Sequence, residues 1–449
     1  MPRPIHVVGA GLAGSEAAVQ IARHGVPCVL HEMRPGKRTP AHQTDALGEL
    51  VCSNSLKTET QGSAPWLLKE ELRRMGAMSM RVAAEVRIPG GTALTVDRSL
   101  FARGVTDAVE SEPLIKIERG EVTDLATDSD KIWIIATGPL TSDALAEAIA
   151  ERTGNDRLYF YDAISPIVDA ETIDMSVAYR GSRYGHSIDG SADYVNCPFA
   201  KEQYEQFLAS LLAAEQHRSS DFDNPNYFEG CLPLEEIARR GPDTLRFGPM
   251  KPVGLRDPRT GRGAYAVVQL RQEDARAGSY NIVGFQNHLK YGEQKRLFRM
   301  IPGLERAEFL RFGQIHRNTY INAPALLLPT LQWRQHANIL FAGQISGVEG
   351  YVESIATGLM AGWNAVRLSL GQAVLEWPPA TAHGSLCRYI SGADPNNYQP
   401  ANITFDLLPP PSAELKRKFR RQKRERRREQ CALGLAALDE FLNVQQAAA

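Results

Sequence analysis

Six residues near the start of the chain have the types and spacing of a loop that holds a pyrophosphate: Gly9, Ala10, Gly11, Leu12, Ala13 and Gly14. In such a loop the first glycine allows a tight turn, the second lets the backbone approach phosphate oxygens, and the third lets a helix pack against a strand. Glu32 lies roughly 20 positions further on, where an acidic side chain usually binds the ribose hydroxyls. The segment therefore predicts a dinucleotide site, and its position at the start of the chain is typical of enzymes that bind FAD.

Two of the six cysteines stand where the sequence favours a reactive thiol. Cys231 is followed by Pro233 and two acids, which is a helix-start signal, and the dipole at a helix N-terminus lowers the pKa of a thiol. Cys52 lies in a long polar segment, residues 34–65, where a thiol meets a ligand more readily than a core. The alternative is that a free cysteine is a small buried apolar residue. This alternative stays open for both, and it is preferred for the other four, which are Cys28, Cys197, Cys387 and Cys431.

Short apolar runs that alternate with helical patterns predict the elements that position the pyrophosphate loop. We expect strands at residues 5–8 and 27–31, with an Ala-rich helix at 15–23 between them. Later elements are expected as helices at 66–75 and 98–109, strand segments within 86–96, a strand pair at 114–117 and 121–122, and a strand at 131–135. This order predicts an α/β fold with a Rossmann-type domain.

Two later turns are expected to bring the backbone to the same nucleotide. The strand at 131–135 ends in an Ala-Thr-Gly turn, and a strand at 338–343 leads through a Gly-rich turn into a helix that ends near Leu370. A helix N-terminus aimed at the cofactor closes flavin-binding folds, and an unrelated αβ turn is the alternative. Beyond the pyrophosphate loop and Glu32, the predicted cofactor contacts are Val122, Thr137, Gly138, Gly343, Gln344, Gly347, Val348, Glu349, Gly350 and Tyr351.

The middle of the chain contains no second GxGxxG motif. Residues 166–330 mix aromatics, Gly and Pro with strand-like alternation, so we interpret them as an inserted α+β substrate domain rather than a nicotinamide domain. A glutathione-reductase-like FAD-binding domain is predicted at 1–165 and is completed by 331–449. Asn287 and His288 lie in a polar, aromatic turn of the insertion, where a flat ring beside a flavin can hold a planar folate or substrate. A structural histidine is the alternative.

A basic segment near the end of the chain, residues 412–430, carries ten Lys and Arg but only three acids. No proline interrupts this C-terminal basic segment, so we expect a helix whose cations bind the phosphates of a nucleic acid. A solvated charged face is the alternative, and a membrane surface is disfavoured because little apolar face accompanies the charge. The predicted contacts are Lys416, Arg417, Arg420, Arg421 and Arg424.

The composition limits the class of protein. A chain of 449 residues with 43% hydrophobic and 23% charged residues is ordinary for two or three globular domains. The net charge of −1 confines nucleic-acid affinity to a local surface. Cysteines without CxxC pairs argue against a zinc ribbon or a disulfide scaffold, so we expect no metal site and a reducing compartment. The chain begins with a strand and has no apolar run that could span a bilayer, so we expect a cytoplasmic protein.

Several long motifs resemble those of one bacterial family, the folate- and FAD-dependent tRNA (uracil-5-)-methyltransferases. The match runs from residue 5 to past residue 400, and the motifs that carry it are GAGLAGSEAA, ELVCSNSLK, FEGCLPLEEIARRG, GFQNHLKYGEQKRLF, RMIPGLERAEFLRFGQIHRN and FAGQISGVEGYVESIATGLMAG. The resemblance implies that the T-loop uridine of tRNA is converted to 5-methyluridine. It also implies that methylenetetrahydrofolate supplies the carbon, and that NADH or NADPH supplies reducing equivalents through FAD, with no obligate protein partner.

The family's two important cysteines correspond to Cys52 and Cys231 of this chain. A thiolate that adds to C6 of uracil turns the ring into an enolate whose C5 attacks an electrophilic one-carbon unit. We expect Cys231 to be this nucleophile and Cys52 to act beside the flavin, by removing the C5 proton or by protecting the flavin. The alternatives are the related tRNA wobble-uridine flavoprotein, an FAD oxidoreductase that acts on a small molecule, and a non-catalytic RNA-binding flavoprotein.

Overall fold

The computed structural model describes residues 3–39, 41–125, 127, 130–154, 158–217 and 232–447, so that Cys231 lies outside the described residues. The strands are, in chain order, β1 Ile5–Val8, β2 Cys28–Glu32, β3 Ser55–Thr58, β4 Arg87–Ile88, β5 Ala93–Val96, β6 Ile115–Arg119, β7 Ile132–Ile135, β8 Leu158–Ala163, β9 Ile167–Asp169, β10 Tyr179–Gly181, β11 Tyr194–Phe199, β12 Ala266–Gln272, β13 Ser279–Ile282, β14 Phe309–Arg311, β15 Ile315–Tyr320 and β16 Ile339–Phe341. The helices are α1 Leu12–Arg23, α2 Ala64–Arg74, α3 Met78–Glu85, α4 Arg98–Glu110, α5 Asp143–Thr153, α6 Lys201–Leu212, α7 Leu234–Arg239, α8 Thr244–Phe247, α9 Tyr291–Phe298, α10 Ala323–Leu326, α11 Tyr351–Ser369, α12 Ala382–Gly392, α13 Ala413–Lys418 and α14 Lys423–Ala447.

A parallel sheet of five strands forms the first core, in the order β16-β7-β1-β2-β6. In register, Ile5 of β1 lies between Cys28 of β2 and Ile132 of β7. These strands are short runs of Ile, Val and Leu, which suit a parallel sheet because both of its faces are usually covered. The arrangement confirms the predicted Rossmann-type α/β architecture.

The helices α1 and α11 pack against one another and against this sheet. Every residue of α1 from Leu12 to Ala22 is buried, and its alanines leave a narrow surface that α11 can approach closely. The indole N–H of Trp363 on α11 donates to the Gln20 side chain of α1 over 3.0 Å. Because each helix follows a strand of the parallel sheet, both helix N-termini lie at its carboxyl edge.

A second core is built around an antiparallel sheet of six strands, in the order β10-β11-β12-β13-β9-β14. Its apolar centre includes the rings of Phe199, Phe207, Phe285 and Phe298. The strands of this sheet all fall within the predicted insertion at 166–330, but Tyr320 and the residues that follow it pack in the first core. The boundaries at 165 and 330 stay a prediction.

A small sheet, β3-β5-β4, lies between the two cores and follows the Cys52 loop along the chain. Asn54, immediately before β3, is buried, and its side-chain amide donates to Val96 O over 3.1 Å and to Gln272 O over 2.9 Å. Since Val96 ends β5 and Gln272 ends β12, this side chain connects the Cys52 loop to both the small sheet and the insertion.

The predicted strand pair at 114–117 and 121–122 is wrong in its second member, because only β6 forms a strand there. The ladder ends at Gly120, whose N–H donates to Glu32 O over 2.9 Å. The Arg119 guanidinium turns back to the carbonyls of Arg34 and Asp45 at 3.0 and 3.1 Å. Glu121 and Val122 therefore leave the sheet as irregular chain.

The C-terminal basic segment is divided between α13 and α14 instead of forming one continuous helix. The backbone of Phe419 leaves the helical region at φ −117° and ψ 43°. Cations three and four positions apart repel one another on a helix, and ten of them in 13 positions disfavour an unbroken run. Among the described residues, no helix has the length and apolar character needed to cross a membrane.

Candidate active site

A cavity opens at the carboxyl edge of the parallel sheet, where ligands of open α/β folds bind. It encloses about 980 Å³ of empty space, part of which is open to solvent. The lining comes from the ends of the parallel strands and the turns that follow them, and it includes Gly9, Ala10, Gly11, Leu12, Ala13, Glu32, Val122, Thr137, Gly138, Gly343, Gln344 and Tyr351. Twelve of the seventeen predicted cofactor contacts therefore meet around one cavity.

The pyrophosphate loop is the most tightly packed wall of this cavity. Gly9 has φ +96°, and a Cβ there would stand 2.7 Å from the carbonyl oxygen of Ala136 at the end of β7. Gly14 does not line the cavity, but a Cβ on it would stand 1.8 Å from the Gly9 carbonyl oxygen. Within the described part of the chain, no side chain caps the first N–H groups of α1 and no acid occupies its first turn. These N–H groups are thus available to an anion.

Glu32 lies beside the pyrophosphate loop and is buried. Its carboxylate accepts the Ala10 N–H at 3.1 Å and the Arg34 guanidinium at 2.8 and 3.1 Å. Burial alone would raise the pKa of Glu32, but the hydrogen bonds and charge of Arg34 hold this pKa below its ordinary value. The Arg34 backbone N–H also donates to this carboxylate, over 3.0 Å, so four donors occupy the roughly four acceptor positions of an ionised Glu32. A ribose hydroxyl would therefore have to replace one of the Arg34 donors. Sequence reasoning missed Arg34, since the residue lies in irregular chain after β2.

The late Gly-rich turn is only partly at the cavity. Gly343, Gln344 and Tyr351 line it, whereas the four residues between Ser346 and Tyr351 do not. Val348 is buried and pairs with Ala401, and Glu349 accepts a hydrogen bond from Gln344 over 2.6 Å. A Cβ on Gly350 would meet Lys57 and Glu353, which are themselves 2.5 Å apart. Gly347 lies against the ring of Tyr398, so this part of the turn supports the wall from behind.

The Cys52 loop reaches the cavity through Glu49 and Val51, whereas Cys52 itself is not among the lining residues. Val51 lines the cavity, Cys52 is half-buried, and the N–H groups of Cys52 and Ser53 donate to the Tyr351 hydroxyl at 2.8 and 3.1 Å. Two guanidinium groups hold the loop carbonyls: Arg98 donates to Cys52 O at 3.3 Å and Arg311 to Val51 O at 3.4 Å.

These two cations differ in their partners. Arg98 forms an ion pair with the buried Glu273 at 2.9 Å. For Arg311, burial and the nearby charge of Arg98 lower the pKa of the guanidinium. Cations beside a cysteine favour its thiolate form. No local pattern marked either arginine, because each reaches the loop from a distant part of the sequence.

Asn287 and His288 are not among the residues that line the cavity. Asn287 is buried, and its side chain makes hydrogen bonds within its own turn. Its Nδ2 donates to Phe285 O over 2.9 Å, and its Oδ1 accepts the Leu289 N–H over 3.1 Å. The His288 N–H donates to Glu235 Oε1 over 2.6 Å. Both predicted ligand residues therefore lie beside α7, the helix that follows Cys231 along the chain.

Glu235 and His288 form a buried pair, and burial disfavours the charged form of both groups. Burial raises the pKa of Glu235 to about 7 and lowers the pKa of His288 to about 4. The nearest side-chain atoms of the two groups are 3.9 Å apart. This distance is too long for a hydrogen bond, and we assign both groups as neutral between about pH 4 and about pH 7.

Comparison with known proteins places the chain in a family. Residues 4–373 match the family described as GIDA, glucose inhibited division protein A. Two proteins named methylenetetrahydrofolate--tRNA-(uracil-5-)-methyltransferase TrmFO, from Solibacter usitatus and Koribacter versatilis, are 62% and 58% identical over 442 residues. These matches cover 98% of this chain, 99% of the Solibacter protein and 98% of the Koribacter protein. The chain belongs to the GidA family, in its TrmFO branch.

The family fold is also seen in a solved structure. GidA from Aquifex aeolicus superposes with a TM-score of 0.69 at 16% identity, covering 99% of this chain and 76% of that one. At this level of identity the likeness concerns the fold alone. It agrees with the parallel sheet and added antiparallel sheet found in this member of the GidA family.

Gly9→Ala tests the cavity as a nucleotide site. The added Cβ would clash with Ala136 O, and alanine disfavours the positive φ of this position. We therefore expect FAD to bind at least roughly 10-fold more weakly. Gly25→Ala is the matched control, because Gly25 also has positive φ but has no atom within 4 Å of an added Cβ. Flavin absorbance and fluorescence titration measure both variants. Equal flavin affinity in the two would contradict the assignment.

Glu235→Gln tests the raised pKa. The folded pKa of about 7 exceeds the ordinary value of 4.5, so the folded state holds an extra proton between these pH values and stability falls as pH rises through them. The shift corresponds to roughly 3 kcal/mol of unfolding free energy. Urea unfolding at pH 5 and pH 8 should show this loss in wild type and in Glu236→Gln, a half-buried neighbour, but not in Glu235→Gln. An unchanged pH dependence in Glu235→Gln would show that Glu235 titrates normally.

Proposed function

We propose that this chain methylates C5 of the T-loop uridine of tRNA, with methylenetetrahydrofolate as carbon donor and FAD as cofactor. The observation that carries the proposal is 62% identity, across nearly the whole chain, to a protein named for that reaction. The cavity supports it independently, since it combines a pyrophosphate loop with Val51, the residue directly before the half-buried Cys52. We place the reaction in the cytoplasm, where tRNA is modified in bacteria.

The residues around the cavity fit FAD. The open N–H groups of α1 would bind the pyrophosphate, and Glu32 would bind the ribose in place of one Arg34 donor. Val122 would lie beside the adenine, while Thr137, Gly138 and the turn at Gly343 would approach the flavin. When bound, FAD supplies the redox chemistry and a carrier for the one-carbon unit.

The chain itself would supply nucleophilic and positioning groups. The Cys231 thiolate would form a bond to C6 of the uracil, which makes C5 nucleophilic, and the same S–C6 bond breaks at the end of the reaction. Cys52 would remove the C5 proton or protect the flavin. Arg98 and Arg311 would keep the Cys52 loop at the cavity wall and favour the thiolate. The target uridine must leave the stack of the tRNA loop to reach these groups.

We further propose that NADH or NADPH binds only transiently, in the space over the flavin that folate later occupies. The chain has a single GxGxxG motif, and nothing in its sequence provides a separate nicotinamide domain. Asn287 and His288 would contribute to the folate or substrate site from the side of α7. No protein partner is required by this scheme.

The C-terminal basic segment is proposed to bind tRNA. Its predicted contacts, Lys416, Arg417, Arg420, Arg421 and Arg424, are all exposed. Further along α14, Arg428 packs over Gly62, and the Cys431 thiol lies 3.9 Å from Ser63 O. The segment is thereby attached to the loop between β3 and α2. Phosphates are the natural partners of such a dense set of exposed cations.

Product analysis tests the proposed function. Purified flavin-loaded protein is incubated with unmodified tRNA transcript, methylenetetrahydrofolate and NADPH, and the digested tRNA is examined for 5-methyluridine. Cys231→Ala should lower turnover by about 10³-fold or more, because the thiolate forms the bond that activates C5. Cys28→Ala, a change at a buried cysteine of β2, should retain turnover. Absence of 5-methyluridine with wild type would refute the function, and modification at the wobble uridine would favour the related flavoprotein.

Charge removal tests the C-terminal basic segment. The triple change Arg420→Ala, Arg421→Ala and Arg424→Ala should weaken tRNA binding and reduce the slope of log K against log salt by about 2 to 3. The same three positions changed to Lys keep the charge and should bind nearly as wild type. A salt slope that is unchanged in the Ala variant would assign the segment to a solvated surface.

A further inference from the structure

A second cationic surface lies in the insertion. Residues 239–262 carry seven Lys and Arg but only two acids, on a chain whose net charge is −1. Three of these cations are paired: Arg239 with Glu236, Arg246 with Asp243 and Arg259 with Asp257. Three others, Lys251, Arg256 and Arg262, are exposed and make no ion pair with another described residue. The excess positive charge thus faces solvent.

Two exposed aromatic rings accompany these cations. Phe247 is 79% exposed and Tyr184 is 61% exposed. Phe247 ends α8, and a turn in which the Lys251 N–H donates to Gly248 O over 3.3 Å connects it to Lys251. We call Tyr184, Phe247, Lys251, Arg256 and Arg262 the insertion surface.

The backbone holds Tyr184 on the loop that carries Lys251. The Tyr184 N–H donates to Gly254 O over 2.7 Å, and the Arg183 guanidinium donates to Lys251 O over 2.9 Å. Tyr184 has φ +56°, a conformation that side chains other than glycine seldom adopt. Strain of this kind persists where surrounding contacts determine the geometry, and it often occurs at functional sites. The ring is therefore fixed in an exposed position.

A series of contacts connects the insertion surface to the small sheet that follows Cys52. Ile188, four residues after Tyr184, donates its N–H to Gly91 O over 3.1 Å, and the Gly91 N–H donates to Asp193 over 2.6 Å. Thr92 follows Gly91, and its carbonyl oxygen accepts the N–H of Glu59 over 2.6 Å. Glu59 is the first residue after β3.

The C-terminal basic segment reaches the same small sheet from another direction. Arg428 packs on Gly62, three residues after Glu59. Both cationic surfaces are therefore attached to the loops around β3 and β5, and β3 begins three residues after Cys52.

We propose that the insertion surface is a second contact for tRNA, in which its cations bind phosphates and Phe247 stacks on an unstacked base. This inference rests on the proposed function for the identity of the RNA. Aromatic rings interleaved with cations are suited to RNA loops, because these loops present phosphates together with splayed bases. Two cationic surfaces, both attached to the loops around β3 and β5, would hold the T arm while the target uridine enters the cavity.

The first test removes charge. The dissociation constant of unmodified tRNA transcript is measured for the full-length flavin-loaded protein at several salt concentrations. The triple change Lys251→Ala, Arg256→Ala and Arg262→Ala should raise the dissociation constant about 10-fold near 0.1 M salt. It should also reduce the slope of log K against log salt by about 2. The control removes three exposed cations elsewhere in the insertion, by Arg276→Ala, Lys295→Ala and Arg306→Ala, and should leave the slope unchanged. Equal losses in both triple variants would overturn the proposal.

The second test removes the ring. Phe247→Ala should weaken tRNA binding by about 5- to 100-fold without changing the salt slope, whereas Phe247→Tyr keeps a stacking ring and should retain affinity. Wild-type affinity in Phe247→Ala would contradict base stacking. Light scattering examines the alternative: if Phe247→Ala converts a dimer to a monomer and leaves tRNA affinity unchanged, the surface is a protein interface and the proposal is wrong.

Formation of 5-methyluridine by wild type separates this inference from the proposed function. If wild type methylates tRNA but both insertion variants bind tRNA normally, the insertion surface alone is wrong. If wild type forms no 5-methyluridine, the proposed function fails, and the binding data still decide whether the insertion surface binds RNA.

Discussion

The contact between Gly9 and the end of β7 is the constraint on which the cavity depends. Here the turn after β1 approaches the carbonyl of Ala136 so closely that a Cβ would stand 2.7 Å from it. This approach directs the start of α1 at the carboxyl edge of the sheet, where α11 also begins. The N-terminus of α1, which no side chain caps among the described residues, then faces the cavity. The anion-binding character of the cavity follows from this geometry before any side chain is considered.

Buried ion pairs surround the cavity and fix the loops that have no regular structure. Arg34 joins Glu32 to Glu49, Arg98 joins the Cys52 loop to Glu273, and Lys57 joins β3 to Glu353 at the start of α11. Such pairs add little net stability, because desolvation of both charges offsets their attraction. Removal of one partner, however, leaves an uncompensated buried charge. The pairs therefore select one arrangement of the loops, as the proposed role of Cys52 beside FAD would require.

Sequence periodicity was sufficient for the parallel sheet and for the first turn of the site. Glycine spacing, β-branched runs and Glu32 are local signals, so they predict β1, α1 and β2 without knowledge of the tertiary structure. The failures were non-local. The residues at 121–122 leave the sheet where Arg119 bonds distant carbonyls, and the basic run is divided at Phe419, whose backbone leaves the helical region.

The candidate site shows the same division between local and non-local information. Arg98 and Arg311 escaped prediction because each acts through contacts made across the fold. Arg34 bonds Glu32 only two residues away, but it lies in irregular chain that no local pattern marks. His288 looked like a ligand because its turn is polar and aromatic. In the structure it is buried with Glu235, and burial favours the neutral form of both groups. A pattern of residue types indicates what chemistry the side chains could perform. Only the packing of the folded chain determines whether a side chain faces solvent, a cavity or the core.

A net charge near zero is compatible with binding tRNA because electrostatic screening limits how far each surface acts. At physiological salt the Debye length is about 8 Å, so acids on distant faces do not cancel the field above a dense cationic surface. They do reduce the long-range attraction to unrelated polyanions, which a uniformly basic protein would experience. Local cationic surfaces on a nearly neutral chain thus make affinity depend on how many of them one RNA can reach at once. If both surfaces bind RNA as proposed, an RNA whose shape spans the surfaces attached to β3 and β5 would be bound in preference to one that touches a single surface.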